Sequence, residues 1–276
     1  MTVPHFPTSA VLRAPERLVL AGGRWSRIEI PIRYGLWVHE RYGPVLIDTG
    51  YSPRVTQGRK RSFALRLYNA LLKPRLIESA APLAQLRALG FGPQDVTRIV
   101  VTHFHADHVA GLNDFPNARI VASAEAFQRL MRMSTSGQIH NAFYPELLPD
   151  DLADRLQPIE ECAAVDLPHG LGQGFDLFGD GSLLAVPLPG HALGHHGLLW
   201  PRHSLLYAVD AQWLMQAIME ERLPRGPARL IHADEAAMIA SCAVVRRFAE
   251  AGGSVVLCHD PQRLEVATAA LGQARP

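Results

Sequence analysis

The chain has 276 residues, enough to bury a substantial core as one large domain or as two fused halves. A formal net charge of +1 removes any global attraction to nucleic acid or to an anionic membrane, and the 48% hydrophobic content is ordinary for a globular enzyme. No apolar run reaches the length of a membrane span, and the three cysteines, Cys162, Cys242 and Cys258, are too scattered for a disulfide framework. With no basic region and apolar core at the N-terminus, these features place the chain in a reducing cytoplasm.

Short β-type runs open the chain, at Arg17–Ala21, Ile28–Ile32, Leu36–His39 and Val45–Asp48, with Gly22-Gly23 and Gly43-Pro44 between them. Ala80–Leu89 reads as a helix stopped by Gly90, and Arg98–Val101 as a strand. Ser123 is the expected cap of a helix reaching about Met133. In the second half, strands are expected at Ser182–Leu188, Gly197–Trp200, Leu205–Val209 and Ser254–Cys258. A long helix is expected over Asp234–Ala251, with Gly252-Gly253 as its stop, and Pro261 opens a last one.

Directly after Arg98–Val101 comes Thr102-His103-Phe104-His105-Ala106-Asp107-His108. Imidazole nitrogens and carboxylate oxygens are ligands for zinc and its neighbours. A surface loop gains nothing from crowding such groups, because protonated histidines repel one another. A strand end turning into a loop aims His103 and His105 at one metal, and Asp107 and His108 on the next turn at a second, roughly 3.5–4 Å away. His191, Asp210 and His259 each follow an expected apolar strand in the same manner. Sheet proteins gather ligands at strand ends, where side chains converge in a crevice. Cys258 precedes His259, so strand alternation turns it to the opposite face and leaves the ligand set without a thiolate.

Taken together, Leu46-Ile47-Asp48-Thr49-Gly50, Thr102–Gly111, Pro189-Gly190-His191 with Gly194-His195, Val209-Asp210 and Cys258-His259-Asp260 resemble the metallo-β-lactamase-fold hydrolases over most of the chain. The resemblance implies an α/β protein, an αβ/βα four-layer sandwich of two mixed sheets with helices outside. It implies His103, His105 and His191 on one metal, Asp107, His108 and His259 on the other, and Asp210 between them. Asp48 and His195 would support the ligands from behind. Two divalent ions, zinc before iron, manganese or cobalt, would share a hydroxide that attacks a carbonyl, with Asp107 as proton carrier.

Within the superfamily the chain looks most like the N-acyl-homoserine lactone lactonases, which quench quorum signals. Those enzymes usually place a tyrosine three residues after the bridging aspartate, where this chain has Trp213. Tyr144 is the candidate substitute, and Phe63 and Trp213 are candidate walls of an acyl pocket. The alternatives are a glyoxalase-II-like thioesterase and a metal-binding regulatory protein without turnover. The expected partner is a small molecule with an acyl or lactone carbonyl, with no nucleic acid and no integral membrane segment; a homodimer is a further expectation. Residues 1–276 read as one domain carrying two insertions. One, at 51–77, is basic and helical, with Phe63, Leu67, Ala70 and Leu71 on one face. The other, at about 134–180, is acidic, and opposite charge suggests that the two lie near each other, within a chain or across a dimer.

Overall fold

A computed structural model describes residues 2–58, 60–224 and 233–261. Arg59, His232 and the helix expected after Pro261 lie outside the described residues. In chain order the strands are β1 (Thr8–Pro15), β2 (Arg27–Arg33), β3 (Gly35–His39), β4 (Gly43–Ile47), β5 (Arg75–Leu76), β6 (Arg98–Val100), β7 (Arg119–Ala122), β8 (Leu156–Pro158), β9 (Ala163–Leu167), β10 (Gly172–Asp176), β11 (Leu184–Pro187), β12 (His196–Trp200), β13 (Leu205–Val209) and β14 (Ser254–Leu257).

Two mixed sheets form the body. The first has the order β3-β4-β6-β7-β8, antiparallel only at β3–β4. The second has the order β14-β13-β12-β11-β10-β9, parallel only at β13–β14. Alternation along the second sheet explains the layering. Ala185, Leu198, Trp200, Leu205, Tyr207 and Val209 face a core shared with Leu46, Ile47, Ile99 and Val100 of the first sheet. Their neighbours Leu184, Val186, Leu199, Leu206 and Ala208 face the other way, onto Met238, Cys242, Val245 and Phe248 of the helix Glu235–Glu250. A sheet with two apolar faces must be covered on both, and the sequence supplies one helix and one sheet to do it.

A third, antiparallel sheet, β2-β1-β5, was not expected. Its strand β1 buries only Ser9 and Ala10, so it carries little apolar alternation to read. The run Arg17–Ala21, expected as a strand, is instead a single helical turn over Glu16–Val19 entered from Pro15. The turn lets the consecutive Val19 and Leu20 both reach a small cluster with Ile30, Leu214 and Ala217, which a strand's alternation would forbid. The helix expected over Ala80–Leu89 divides into a 3₁₀ turn at Glu78–Ala80 and a helix at Pro82–Ala88, because Pro82 opens a new first turn. Ser123 and Asp234 cap as expected: Ala126 N donates to Ser123 Oγ at 3.1 Å and Ala237 N to Asp234 Oδ1 at 3.0 Å.

The acidic stretch is woven into the body, supplying β8 to the first sheet and β9 and β10 to the second. The basic stretch folds into short helices at Pro53–Thr56 and Phe63–Leu72. Its apolar stripe faces outward, with Phe63 75%, Leu67 49% and Leu71 73% exposed, while Leu65, with Ala64 and Tyr68 beside it, packs inward. The two stretches meet within the chain, by a 3.3 Å hydrogen bond from Ser62 N to Glu146 Oε1 and a 5.3 Å ring contact of Tyr68 with Tyr144. The contact therefore runs through backbone and aromatic rings.

Gly190 fixes how one strand end reaches the site. It has φ +120°, and a Cβ there would lie 2.1 Å from Met238 N. Its carbonyl accepts Asp234 N at 2.9 Å, seating the loop on the start of the long helix. Gly190→Ala is expected to lower stability by at least about 1–3 kcal/mol, the cost of a strained backbone, before the steric overlap is added. A fall in the urea midpoint without a change in slope checks it.

Candidate metal centre

β4, β6, β11, β13 and β14 end at one edge of the two facing sheets, and the residues after them converge there. His103 Nε2 lies 3.7 Å and His191 Nε2 3.3 Å from Asp210 Oδ2, and His191 Nε2 is 3.1 Å from His105 Nδ1. On the other side of the same oxygen, His108 Nε2 and His259 Nε2 each stand 3.3 Å away. Asp107 Oδ2 lies 3.6 Å from His108 Nε2 and 3.5 Å from His259 Nε2. Donors about 2.1 Å from a tetrahedral ion stand about 3.4 Å from one another, so this is a spacing that can hold metal, in two donor groups that share Asp210. All seven residues singled out from the strand ends are brought together.

Burial and charge fit a cation. His103 Nε2, His108 Nε2 and Asp210 Oδ1 are buried without a hydrogen-bond partner. Such atoms are costly unless an ion or water meets them. Burial, then the neighbouring imidazoles, hold His103 and His105 well below the usual histidine range, as neutral ligands require. At His108 burial also lowers the pKa, but Asp107, Asp48 and Asp210 outweigh it and hold the group well above its ordinary value. Burial raises Asp210, and His259 and His108 overcome it, leaving Asp210 ionised.

A second layer of groups holds these side chains. Asp48, wholly buried, accepts Thr102 N, Thr102 Oγ1 and His108 Nδ1, each at 2.8 Å. It thereby ties the β4 end to the β6 loop and aims His108 Nε2 inward. His195 bonds Leu188 O through Nδ1 at 2.6 Å and accepts Asp210 N through Nε2 at 3.2 Å. His259 Nδ1 bonds Pro31 O at 2.9 Å. Asp48 and Val209 have φ of 57° and 53°, values unusual outside glycine and strained for a β-branched valine. His39, without a motif, is buried and bonded to Asp180 and Ser182 at 3.0 and 3.2 Å.

One expectation is overturned. Cys258 does not face away: its Sγ, with donor atoms of His108, Asp210 and His259, forms a buried group within 4.8 Å. Alternation holds along β14, since Val256 and Cys258 face the shared core and Leu257 faces the long helix; it is His259, past the end of β14, that leaves the pattern, so the two residues reach the site together. Arg33 was also missed. Its buried guanidinium donates to the carbonyls of Leu257, Cys258 and Asp260 and fixes this loop.

The pocket candidates separate. Phe63 stands in solvent and lines nothing. Trp213, half-buried, packs on the Val19–Leu20–Leu214 cluster. Tyr144 is buried beside Tyr68, whose hydroxyl is 2.8 Å from that of Tyr51. Burial pushes both Tyr51 and Tyr68 well above the usual phenol range, with the charge of Asp107 adding to it. Nothing in a single sequence joins these three tyrosines.

The fold has known counterparts. The family model of the metallo-β-lactamase superfamily matches residues 38–248. The chain belongs to this superfamily. It is 29% identical over 248 residues to an N-acyl homoserine lactonase, AttM, of Azorhizobium caulinodans, covering 87% of this chain and 85% of that one. It is 30% identical over 186 residues to a probable metallo-hydrolase of Mycobacterium tuberculosis, covering 63% of this chain and 51% of that one. Among solved structures it resembles that of a single-residue variant of Bacillus thuringiensis AiiA with N-decanoyl-L-homoserine bound at the active site, at 19% identity, TM-score 0.69 and 95% coverage of both chains. The αβ/βα arrangement is thus the metallo-β-lactamase fold, with the small β2-β1-β5 sheet beside it.

Replacing Asp48 by alanine removes the acceptor of three buried donors at once. Breaking a buried pair in this way costs about 3–5 kcal/mol, so Asp48→Ala is expected to lose that much stability in urea unfolding of the metal-free protein. An unchanged midpoint would show that His108 is held by something else.

Proposed function

We propose that this metal-dependent hydrolase opens a lactone ring, with an N-acyl-homoserine lactone or a related lactone as substrate. The observation that carries the reading is the double donor group around Asp210 Oδ2. Relatives named as homoserine lactonases, aligned over 87% of the chain, support the substrate class. We assign His103, His105 and His191 to one divalent ion, Asp107, His108 and His259 to the other, and Asp210 to both, with zinc the ion that suits the set best and iron, manganese or cobalt next. We place the protein in the cytoplasm, in keeping with its three free cysteines.

Two bound divalent ions would supply Lewis acidity to the scissile carbonyl and a water acidified toward neutral pH. The chain does the rest. His103, His105, His191 and His259 hold the reacting groups at fixed positions, and Asp48 and His195 keep His108 and Asp210 from turning away. Asp107 is the catalytic carboxylate. Its side chain is 11% exposed, against 2% for Asp210, so it reaches the crevice. It takes the proton of the attacking water and gives it to the ring oxygen as the C–O bond breaks, which leaves an acid and an alcohol. Tyr144, its pKa pushed up to about 12 by burial, stays protonated and serves as a donor to substrate oxygen.

The test is a panel on metal-loaded protein: acyl-homoserine lactones, simple γ- and δ-lactones, S-lactoylglutathione and a chromogenic β-lactam. Lactone opening is expected, with kcat/KM lowered on the order of 100-fold or more in His108→Ala. Cleavage of the thioester alone would move the chain to the glyoxalase-II-like branch, and silence with metal bound would favour a regulatory metal-binding protein.

A further inference from the structure

We propose that Cys258 is a donor to the second metal position, its thiolate joining His108, Asp210 and His259. The proposal rests on the dinuclear reading above and gives one of its two positions a different chemistry. Cys258 is wholly buried, and its Sγ lies within the 4.8 Å donor group of those three residues. His108 Nε2 is buried there without a hydrogen-bond partner, so the space between them lacks an occupant that an imidazole can meet. The thiol donates a long contact, 3.4 Å to Arg33 O, and engages the His108 and His259 side chains.

The backbone holds Cys258 as firmly as it holds the histidines. Cys258 N donates to Val209 O at 2.9 Å, so the residue is tied to the one preceding Asp210. Arg33 clamps the carbonyls on either side, and Tyr207 Oη donates to Arg33 O at 3.3 Å from behind. A side chain fixed to this degree in a dry site can ligate with little reorganisation.

With Cys258 counted, five residues surround this position: Asp107, His108, Asp210, Cys258 and His259. A tetrahedral ion needs four. Asp107 keeps its assignment to this position and, with its side chain 11% exposed against 7% for His259 and 2% for Asp210, is the donor that also exchanges protons with solvent, so Cys258 raises the donor number above four. Binding replaces the S–H bond by a sulfur–metal bond and releases the proton to solvent, with no change of oxidation state. A thiolate also favours zinc over manganese or iron at this position, since soft donors select softer ions.

Cobalt(II) titration of the metal-free protein tests this by absorbance. Two cobalt ions per chain are expected, with a sulfur-to-cobalt charge-transfer band in the near ultraviolet. The band should persist in Cys242→Ala and vanish in Cys258→Ala and Cys258→Ser, with the second cobalt bound on the order of tenfold or more weakly. Two bound cobalt ions without the band in the unaltered protein, or a band that survives in Cys258→Ala, would overturn the role of Cys258 and leave the seven-residue centre standing. Uptake that stops at one cobalt would overturn both. Because the unaltered protein alone gives a decisive spectrum, the test stands even if the variants do not fold.

Discussion

One carboxylate oxygen organises the molecule. Asp210 Oδ2 stands within 3.3–3.7 Å of imidazole nitrogens from four histidines, supplied by the loops after β6, β11 and β14. A buried carboxylate costs several kcal/mol to desolvate, and the cost is offset only where charge and hydrogen bonds surround it closely. The surrounding structure supplies that closeness. His195 accepts the Asp210 N–H, Val209 takes a strained conformation just before it, and the ladder slip beside Val209 turns the chain into the crevice.

The two sheets explain how distant segments reach this oxygen. β4 and β6 run parallel, as do β13 and β14, so neighbouring strands end at the same edge. The shared apolar core fixes the sheets face to face, and the donors, buried themselves, follow the apolar positions at the strand ends. Asp48 links the ends of β4 and β6, while Arg33, at the end of β2, fixes the loop after β14. The small third sheet therefore has a place in the site, because it carries Arg33 and the Pro31 carbonyl that orients His259.

What could be read in the sequence follows from range. The run from His103 to His108 is contiguous, and the later donors each end an apolar run, so local pattern was enough to find them. Strands β12 and β13 and the caps Ser123 and Asp234 were legible for the same reason. Strands β7 to β10 were not: β7 is apolar but only four residues long, and the short β8, β9 and β10 mix polar residues and glycine and owe their form to partners far along the chain. Cys258 was misplaced because period-2 reasoning holds only within a strand: β14 ends at Leu257, and His259 beyond it no longer points opposite to Cys258. The outward stripe of Phe63, Leu67 and Leu71 was recognised as a stripe, but periodicity does not say which way a stripe points.

The tyrosines show what the two inserted stretches contribute. Tyr68 comes from the basic stretch, Tyr144 from the acidic one, and Tyr51 from the loop after β4. Burial raises all three pKa values, so each keeps its proton at neutral pH and offers an O–H. The hydroxyls of Tyr51 and Tyr68 engage each other, leaving Tyr144 as the phenol able to turn to a ligand. The nearby Asp107 charge disfavours a phenolate beside it, which keeps the donors protonated where a developing oxyanion would need them. Under the proposed lactonase reading, Tyr144 would supply the phenol that this chain lacks three residues after Asp210, from a segment that sequence alone marks as an addition.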